Sequence, residues 1–66
     1  MRKLLIEARK SRGHTQRTMA KEIGISAVGY SLIERGERDG SVETWRSIFK
    51  ALGVPKRDAW AMIDQK

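Results

Sequence analysis

Cysteine is absent from this 66-residue sequence, and His14 is its only histidine. Without cysteine there can be neither a disulfide nor a thiolate-ligated zinc site, and one imidazole argues against a histidine-based metal site. No run of 18 apolar residues is present, and no signal-peptide pattern opens the chain. We therefore expect no metal, no cofactor and no membrane anchor, and a reducing, cytoplasmic setting.

Acidic residues are also few relative to basic ones. Fourteen Lys and Arg residues oppose eight Asp and Glu residues, which gives a formal net charge of +6. This balance favours a polyanionic partner, either nucleic acid or an acidic membrane surface. Membrane binding needs a strongly amphipathic basic helix, and the first predicted helix, the only candidate, uses its apolar stripe better in the core. Because no serine, histidine and acid are brought together, we predict that the protein is not an enzyme.

The length predicts a single domain over residues 1–66. A chain this short buries only about 60% of the surface that it exposes when unfolded, so its core is small. It has no room for a deep substrate pocket together with a scaffold around it. We expect no separate ligand-binding or oligomerisation domain.

Apolar residues recur at helical spacing in five segments, and no stretch alternates with a period of two. Capping residues and glycines bound the segments. Four predicted helices lie between residues 3 and 12, Thr15 and Gly24, Ser26 and Gly36, and Ser41 and Gly53. A fifth is predicted to have Pro55 in its first turn and to extend to residue 63. The turn at Gly24-Ile25 is so short that it predicts a near-perpendicular crossing of the second and third helices. The sequence thus predicts an all-α, compact five-helix domain.

The fourth and fifth segments carry the largest apolar residues. The clearest helical stripe of the chain comprises Val42, Trp45, Ile48, Phe49 and Leu52. In the fifth segment, Trp60, Met62 and Ile63 either close the core or form a dimer seam, and the sequence leaves both alternatives open.

Short motifs follow one another in a fixed order along the chain. They are Thr15-Gln16 followed by Ala20, then Gly24-Ile25-Ser26, Ile33-Glu34-Arg35-Gly36, Ser41-Val42-Glu43-Thr44 and Ala51-Leu52-Gly53-Val54. With this spacing, about residues 3–63 resemble the lambda-repressor-like helix-turn-helix family of the Cro and cI type. The resemblance implies a bacterial or phage transcription regulator that binds double-stranded operator DNA in a sequence-specific way. We expect a repressor that binds an inverted repeat as a two-fold dimer.

The resemblance also implies roles for individual residues. The third helix would lie in the major groove with its N-terminal part toward the bases; the base-facing candidates are Ser26, Ala27, Val28, Ser31 and Leu32. The candidates for contacts to the DNA backbone are Gln16, Arg35 and Arg38, with Arg17 and Lys21 as further ones. Arg9 and Glu34 match a buried ion pair that ties the first helix to the third.

Residue chemistry supports the backbone contacts unevenly. Arg35 and Arg38 flank a glycine-bearing loop, and arginine binds phosphate strongly and often through two hydrogen bonds. Gln16 lies in the first turn of a helix, where the dipole favours an anion. The alternatives are two solvated arginines, a plain helix-forming glutamine and, for Arg9 and Glu34, an exposed pair of little energetic value.

The predicted recognition helix has few polar side chains. Base-specific contacts come mostly from Arg, Lys, Asn and Gln, whereas Ser31 and the capping Ser26 are the polar groups here. In one interpretation the helix contacts thymine methyl groups, and Gly29 allows close approach. In a second, Val28 and Leu32 form an apolar patch for a protein partner, and the protein is an antirepressor or co-regulator. In a third, these two residues are partly core and the helical register is off by one.

Overall fold

The computed structural model describes residues 1–66 and contains five helices and no strand. In chain order these are α1 (Lys3–Ser11), α2 (Gln16–Ile23), α3 (Ala27–Arg35), α4 (Val42–Leu52) and α5 (Lys56–Asp64). The predicted all-α, five-helix architecture is confirmed. One boundary differs, because Pro55 precedes α5 as its N-cap residue and does not lie in its first turn. None of the helices combines the length and the apolar character that crossing a membrane requires.

Hydroxyl side chains begin three of the helices. Thr15, Ser26 and Ser41 each accept a hydrogen bond from the backbone N–H three residues later, at 3.0 to 3.1 Å. Each bond satisfies one of the donors that the first turn of a helix leaves without a partner. The three N-caps predicted for α2, α3 and α4 are therefore confirmed.

Residues 24–26 form the turn between α2 and α3. Gly24 has a φ of 78° and lies in the left-handed region that side chains with a Cβ seldom adopt, so it ends α2 without strain. Its successor Ile25 donates its N–H to the carbonyl of Ala20 at 3.0 Å, and Ser26 already caps α3. Because the turn is so short, α2 and α3 pack directly against each other as a helix-turn-helix.

The core draws side chains from all five helices. Nine apolar residues form it: Leu5, Met19, Ala20, Tyr30, Ile33, Trp45, Ile48, Leu52 and Met62. Phe49 is half-buried and stacks on Trp45 with ring centroids 5.5 Å apart. The apolar stripe predicted for the fourth helix includes Val42, but this residue is 75% exposed and does not join the core. It is the first residue of α4 and lies on the rim of a groove between α4 and α5, away from the core.

The three large apolar residues of α5 have different surroundings. Met62 is buried in the core, Ile63 is half-buried against it, and Trp60 is 72% exposed. Met62 therefore closes the core, and Trp60 remains available to another molecule.

Candidate nucleic-acid interface

The two sides of α3 differ sharply in exposure. Ala27 and Val28 are exposed, and Ser31 and Leu32 are half-buried. Tyr30, on the opposite side, is fully buried, whereas Val28 is 71% exposed. The interpretation that the register is off by one is therefore wrong. The face that the sequence assigned to bases or to a protein partner lies on the surface, together with the exposed cap residue Ser26.

A buried ion pair fixes the inner side of α3. Arg9 Nε lies 2.6 Å from Glu34 Oε2, and the side chains are only 9% and 1% exposed. Arg9 Nη1 also donates to the carbonyl oxygen of His14 at 2.7 Å. The two bonds tie α1 and the turn after it to α3, so the orientation of α3 depends on this pair.

Gln16 takes part in the same network. Its Nε2 donates to Glu34 Oε1 at 2.9 Å, so this amide braces α3 from the first turn of α2. A carboxamide nitrogen carries two N–H donors, and Gln16 is only half-buried. The second N–H is free for an anion outside the protein.

Tyr30 adjoins this network from the core side. Its hydroxyl is buried and has no hydrogen-bond partner among the atoms of the protein. Burial raises the pKa of Tyr30 above its usual value, and the neighbouring Glu34 carboxylate acts in the same direction. The phenol therefore stays neutral in the folded protein.

Exposed arginines lie at the end of α3 and in the loop after it. Arg35 is the last residue of the helix, and its Nε lies 3.2 Å from Glu37 Oε2, with the side chains 49% and 59% exposed. Such an exposed pair contributes little to stability. Arg38 is exposed in the loop that follows. Both guanidinium groups can exchange their present surroundings for a phosphate at small cost.

Gly29 differs from its predicted role. It is buried, and a Cβ built on it would meet Ser26 Oγ at 3.0 Å and Arg38 Nη1 at 3.4 Å. Because the hydroxyl and the guanidinium cover it, Gly29 does not itself offer a bare backbone to a ligand. The structure thus brings Ser26, Gly29 and Arg38 together.

Arg17 and Lys21 lie on α2, and both are exposed. Neither makes a side-chain hydrogen bond or an ion pair, unlike Gln16 on the same helix. No group of three histidine or acidic side chains lies close enough together to hold a metal ion. The surface around α2 and α3 is thus suited to binding an anionic partner and offers no grouping for metal chemistry.

The sequence model of the helix-turn-helix family matches residues 5–58, which include α2, the turn and α3. The chain belongs to the helix-turn-helix family of the Cro and cI type. This family is DNA-binding and non-enzymatic, so the protein is a DNA-binding domain in class, and the prediction that it is not an enzyme is confirmed. No curated protein and no solved structure matches the chain.

In this helix-turn-helix domain, one residue that holds the site together was missed by sequence reasoning. Arg2 is fully buried. Its guanidinium makes four hydrogen bonds of 2.6 to 3.1 Å, to the carbonyl oxygens of Ile33, Arg38 and Ile63 and to Asp39 Oδ1. These bonds connect the end of α3, the loop that carries Arg38 and the end of α5.

The surroundings of Arg2 explain why a charge can be buried there. The guanidinium lies 5.0 Å from the ring centre of Trp45, within cation–π range. Asp39 supplies the countercharge, and Lys66 Nζ lies 2.8 Å from the same carboxylate oxygen. Lys66 and Arg2 together hold the pKa of Asp39 below its usual value. No local sequence pattern predicts such a site, because the hydrogen-bond acceptors of Arg2 come from three separate segments.

Proposed function

We propose that this protein is a sequence-specific transcription regulator, a repressor of bacterial or phage type, that places α3 in the major groove of operator DNA. The observation that carries the proposal is the arrangement around α3. Its outer face is open, exposed arginines lie at its C-terminus and in the loop after it, and its inner face is tied to α1 by the Arg9–Glu34 pair. A helix presented in this way can enter a groove without moving relative to the domain.

We assign the contacts to the DNA backbone to residues on both sides of the turn. Arg35 is exposed at the end of α3 and Arg38 in the loop after it, and Gln16 and Arg17 lie in the first turn of α2. Such contacts set affinity and register and carry little sequence information. Arg35→Ala should therefore weaken binding to all duplexes alike. A changed sequence preference would contradict the role assigned to Arg35.

We assign base recognition to Ser26, Ala27, Val28, Ser31 and Leu32. Val28 and Leu32 would contact thymine methyl groups, and Ser31 would add a hydrogen bond, since a hydroxyl both donates and accepts. With so few polar groups, part of the specificity would come from the shape of the DNA. Ser31→Ala should relax the preference at one position of the site.

We propose that the protein is cytoplasmic and that two copies of it bind an inverted repeat in operator DNA. Trp60 supports a contact between copies, because it is 72% exposed and lines the same groove as the exposed Val42, and apolar patches of this kind mark interaction surfaces. Trp60→Glu should lower the dimer fraction measured by light scattering and weaken binding to the full site. Binding to a single half-site should stay the same.

Selection from a random duplex library tests the function. We expect one enriched inverted repeat, with half-sites about one helical turn apart. Enrichment of a single, unrepeated site would retain DNA recognition and exclude the dimer. Binding without any enriched sequence would contradict sequence-specific regulation.

The exposure of Val28 supports a second candidate function. As a protein-binding module, the domain would use Val28 and Leu32 to contact another regulator. Val28→Arg separates the two functions. A charge on this patch should abolish binding of a protein partner, whereas it should leave or raise the affinity for DNA, since arginine suits phosphates and guanines.

A further inference from the structure

Arg38 lies in an exposed loop, where its backbone is bonded to Arg2 and its side chain lies close to α3. Its carbonyl oxygen accepts a hydrogen bond from Arg2 Nη1 at 2.9 Å. Its own Nη1 lies 3.4 Å from the position that a Cβ of Gly29 would occupy. The backbone is thus fixed by a buried guanidinium, and the side chain lies back along α3, beside the cap residue Ser26.

Gly29 leaves space for the Arg38 side chain to lie along α3. It lies inside α3, where glycine is a poorer helix former than alanine. Its φ is negative, so the backbone conformation does not require glycine. What distinguishes the position is its neighbours, because a Cβ there would lie 3.0 Å from Ser26 Oγ and 3.4 Å from Arg38 Nη1, which leaves little room for a longer side chain.

We propose that Gly29 is a positioning residue for DNA binding, because a small residue at this position leaves room for the Arg38 guanidinium against α3. Arg38 then meets the DNA from a set position beside the recognition helix. A free arginine would have to be ordered on binding, at a cost in affinity. This inference rests on the proposed function, since it concerns how a DNA contact is prepared.

A double-mutant cycle between the two positions tests the proposal. Gly29→Leu has a side chain long enough to displace the guanidinium, and leucine suits a helix. We expect it to weaken duplex binding by about tenfold, the scale of ordering one long side chain. In the background of Arg38→Ala, Gly29→Leu should change the affinity by less than about twofold, because the group that it displaces is gone.

Gly29→Ala is the matched control. Its Cβ would lie at an ordinary contact distance of 3.4 Å from Arg38 Nη1, so the guanidinium can stay, whereas the Ser26 hydroxyl, 3.0 Å away, must shift slightly. We expect binding within about twofold of the unchanged protein. The alanine variant also keeps the test informative if the leucine variant does not fold, since an alanine variant that binds as weakly as Arg38→Ala would overturn the proposal.

Nuclear Overhauser contacts in the free protein separate this inference from the proposed function. A contact between the Arg38 Hη protons and the Gly29 Hα protons, present without DNA and lost in Gly29→Leu, supports the positioning. Absence of that contact in the unchanged protein would overturn it, as would a leucine effect that persists in Arg38→Ala. If the contact is present but no variant binds DNA, the proposed function fails while the arrangement of Arg38 stands.

Discussion

The inner and outer sides of α3 use arginine in opposite ways. On the inner side, Arg9 and Arg2 are buried, and their guanidinium groups bind a carboxylate or backbone carbonyls of the protein itself. On the outer side, Arg35 and Arg38 are exposed, and the ion pair of Arg35 is solvated on both partners. The same side chain thus holds the helix in one place and is available to a partner in the other.

This difference shows what net charge can and cannot indicate. All four arginines count equally toward the formal charge of +6. Only the exposed pair can bind phosphates, because the buried pair would have to break internal bonds first. A basic composition therefore predicts the class of partner, and burial decides which residues meet it.

The largest loss of stability should come from removing one partner of the buried ion pair on the inner side of α3. Arg9→Met leaves Glu34 buried without its countercharge, and such a loss costs about 3–5 kcal/mol. Urea unfolding measures it. The control is Arg35→Met on the outer side, which should change the free energy of unfolding by less than about 1 kcal/mol. Equal losses for the two variants would contradict the distinction between the two sides.

A second variant separates the value of the pair from the cost of leaving one partner unpaired. The double substitution Arg9→Met with Glu34→Leu removes both charges. It should recover much of the stability that Arg9→Met alone loses, because an apolar pair avoids the burial of a lone charge. No recovery would indicate that Arg9 acts mainly through its bond to the carbonyl of His14.

The next largest effect is a loss of stability at alkaline pH, which we attribute to Tyr30 on the inner side of α3. Folding raises its pKa above the usual value of 10.0. Above about pH 10, the unfolded chain loses the phenolic proton and the folded protein keeps it, so stability falls by about 1.4 kcal/mol per pH unit. Tyr30 is the only tyrosine, so absorbance of the phenolate should appear together with unfolding. Tyr30→Phe should remove this part of the alkaline loss, and phenolate formation in the folded protein would contradict the account.

The smallest effect on stability is expected at the outer pair. Glu37→Gln releases Arg35 from a solvated ion pair and should change the free energy of unfolding by less than about 1 kcal/mol. Binding to duplex DNA should strengthen, because a negative charge beside the phosphates is removed. Fluorescence anisotropy measures the affinity. Unchanged affinity would indicate that Arg35 stays away from the DNA.

The comparison also separates what the sequence could predict from what it could not. The caps at Thr15, Ser26 and Ser41 and the glycine at the end of α2 were predictable, because each depends on residues within one helical turn. The sequence leaves the register of α3 open, and the 71% exposure of Val28 decides it. The burial of Arg2 could not be predicted, since its acceptors are up to 61 residues away along the chain.

Three further features needed the packed structure. Val42 and Trp60 fit apolar helical stripes, but the helices leave both of them on the surface. In the sequence, Gly29 indicates a part of the helix where the backbone is exposed. In the structure, Arg38 of the following loop lies close to Gly29, which is buried. The buried pair of Arg9 and Glu34 was available from the family resemblance, whereas helical spacing alone would also fit an exposed pair.

The salt dependence of duplex binding tests the central claim most directly. It is measured for the unchanged protein and for the double substitution Arg35→Ala with Arg38→Ala. Each phosphate contact contributes about 0.9 to the slope of log affinity against log salt. We predict that the double variant stays folded and that the slope becomes shallower by about 1.8. An unchanged slope in a folded variant would contradict the claim that the exposed arginines of the outer side bind the phosphates.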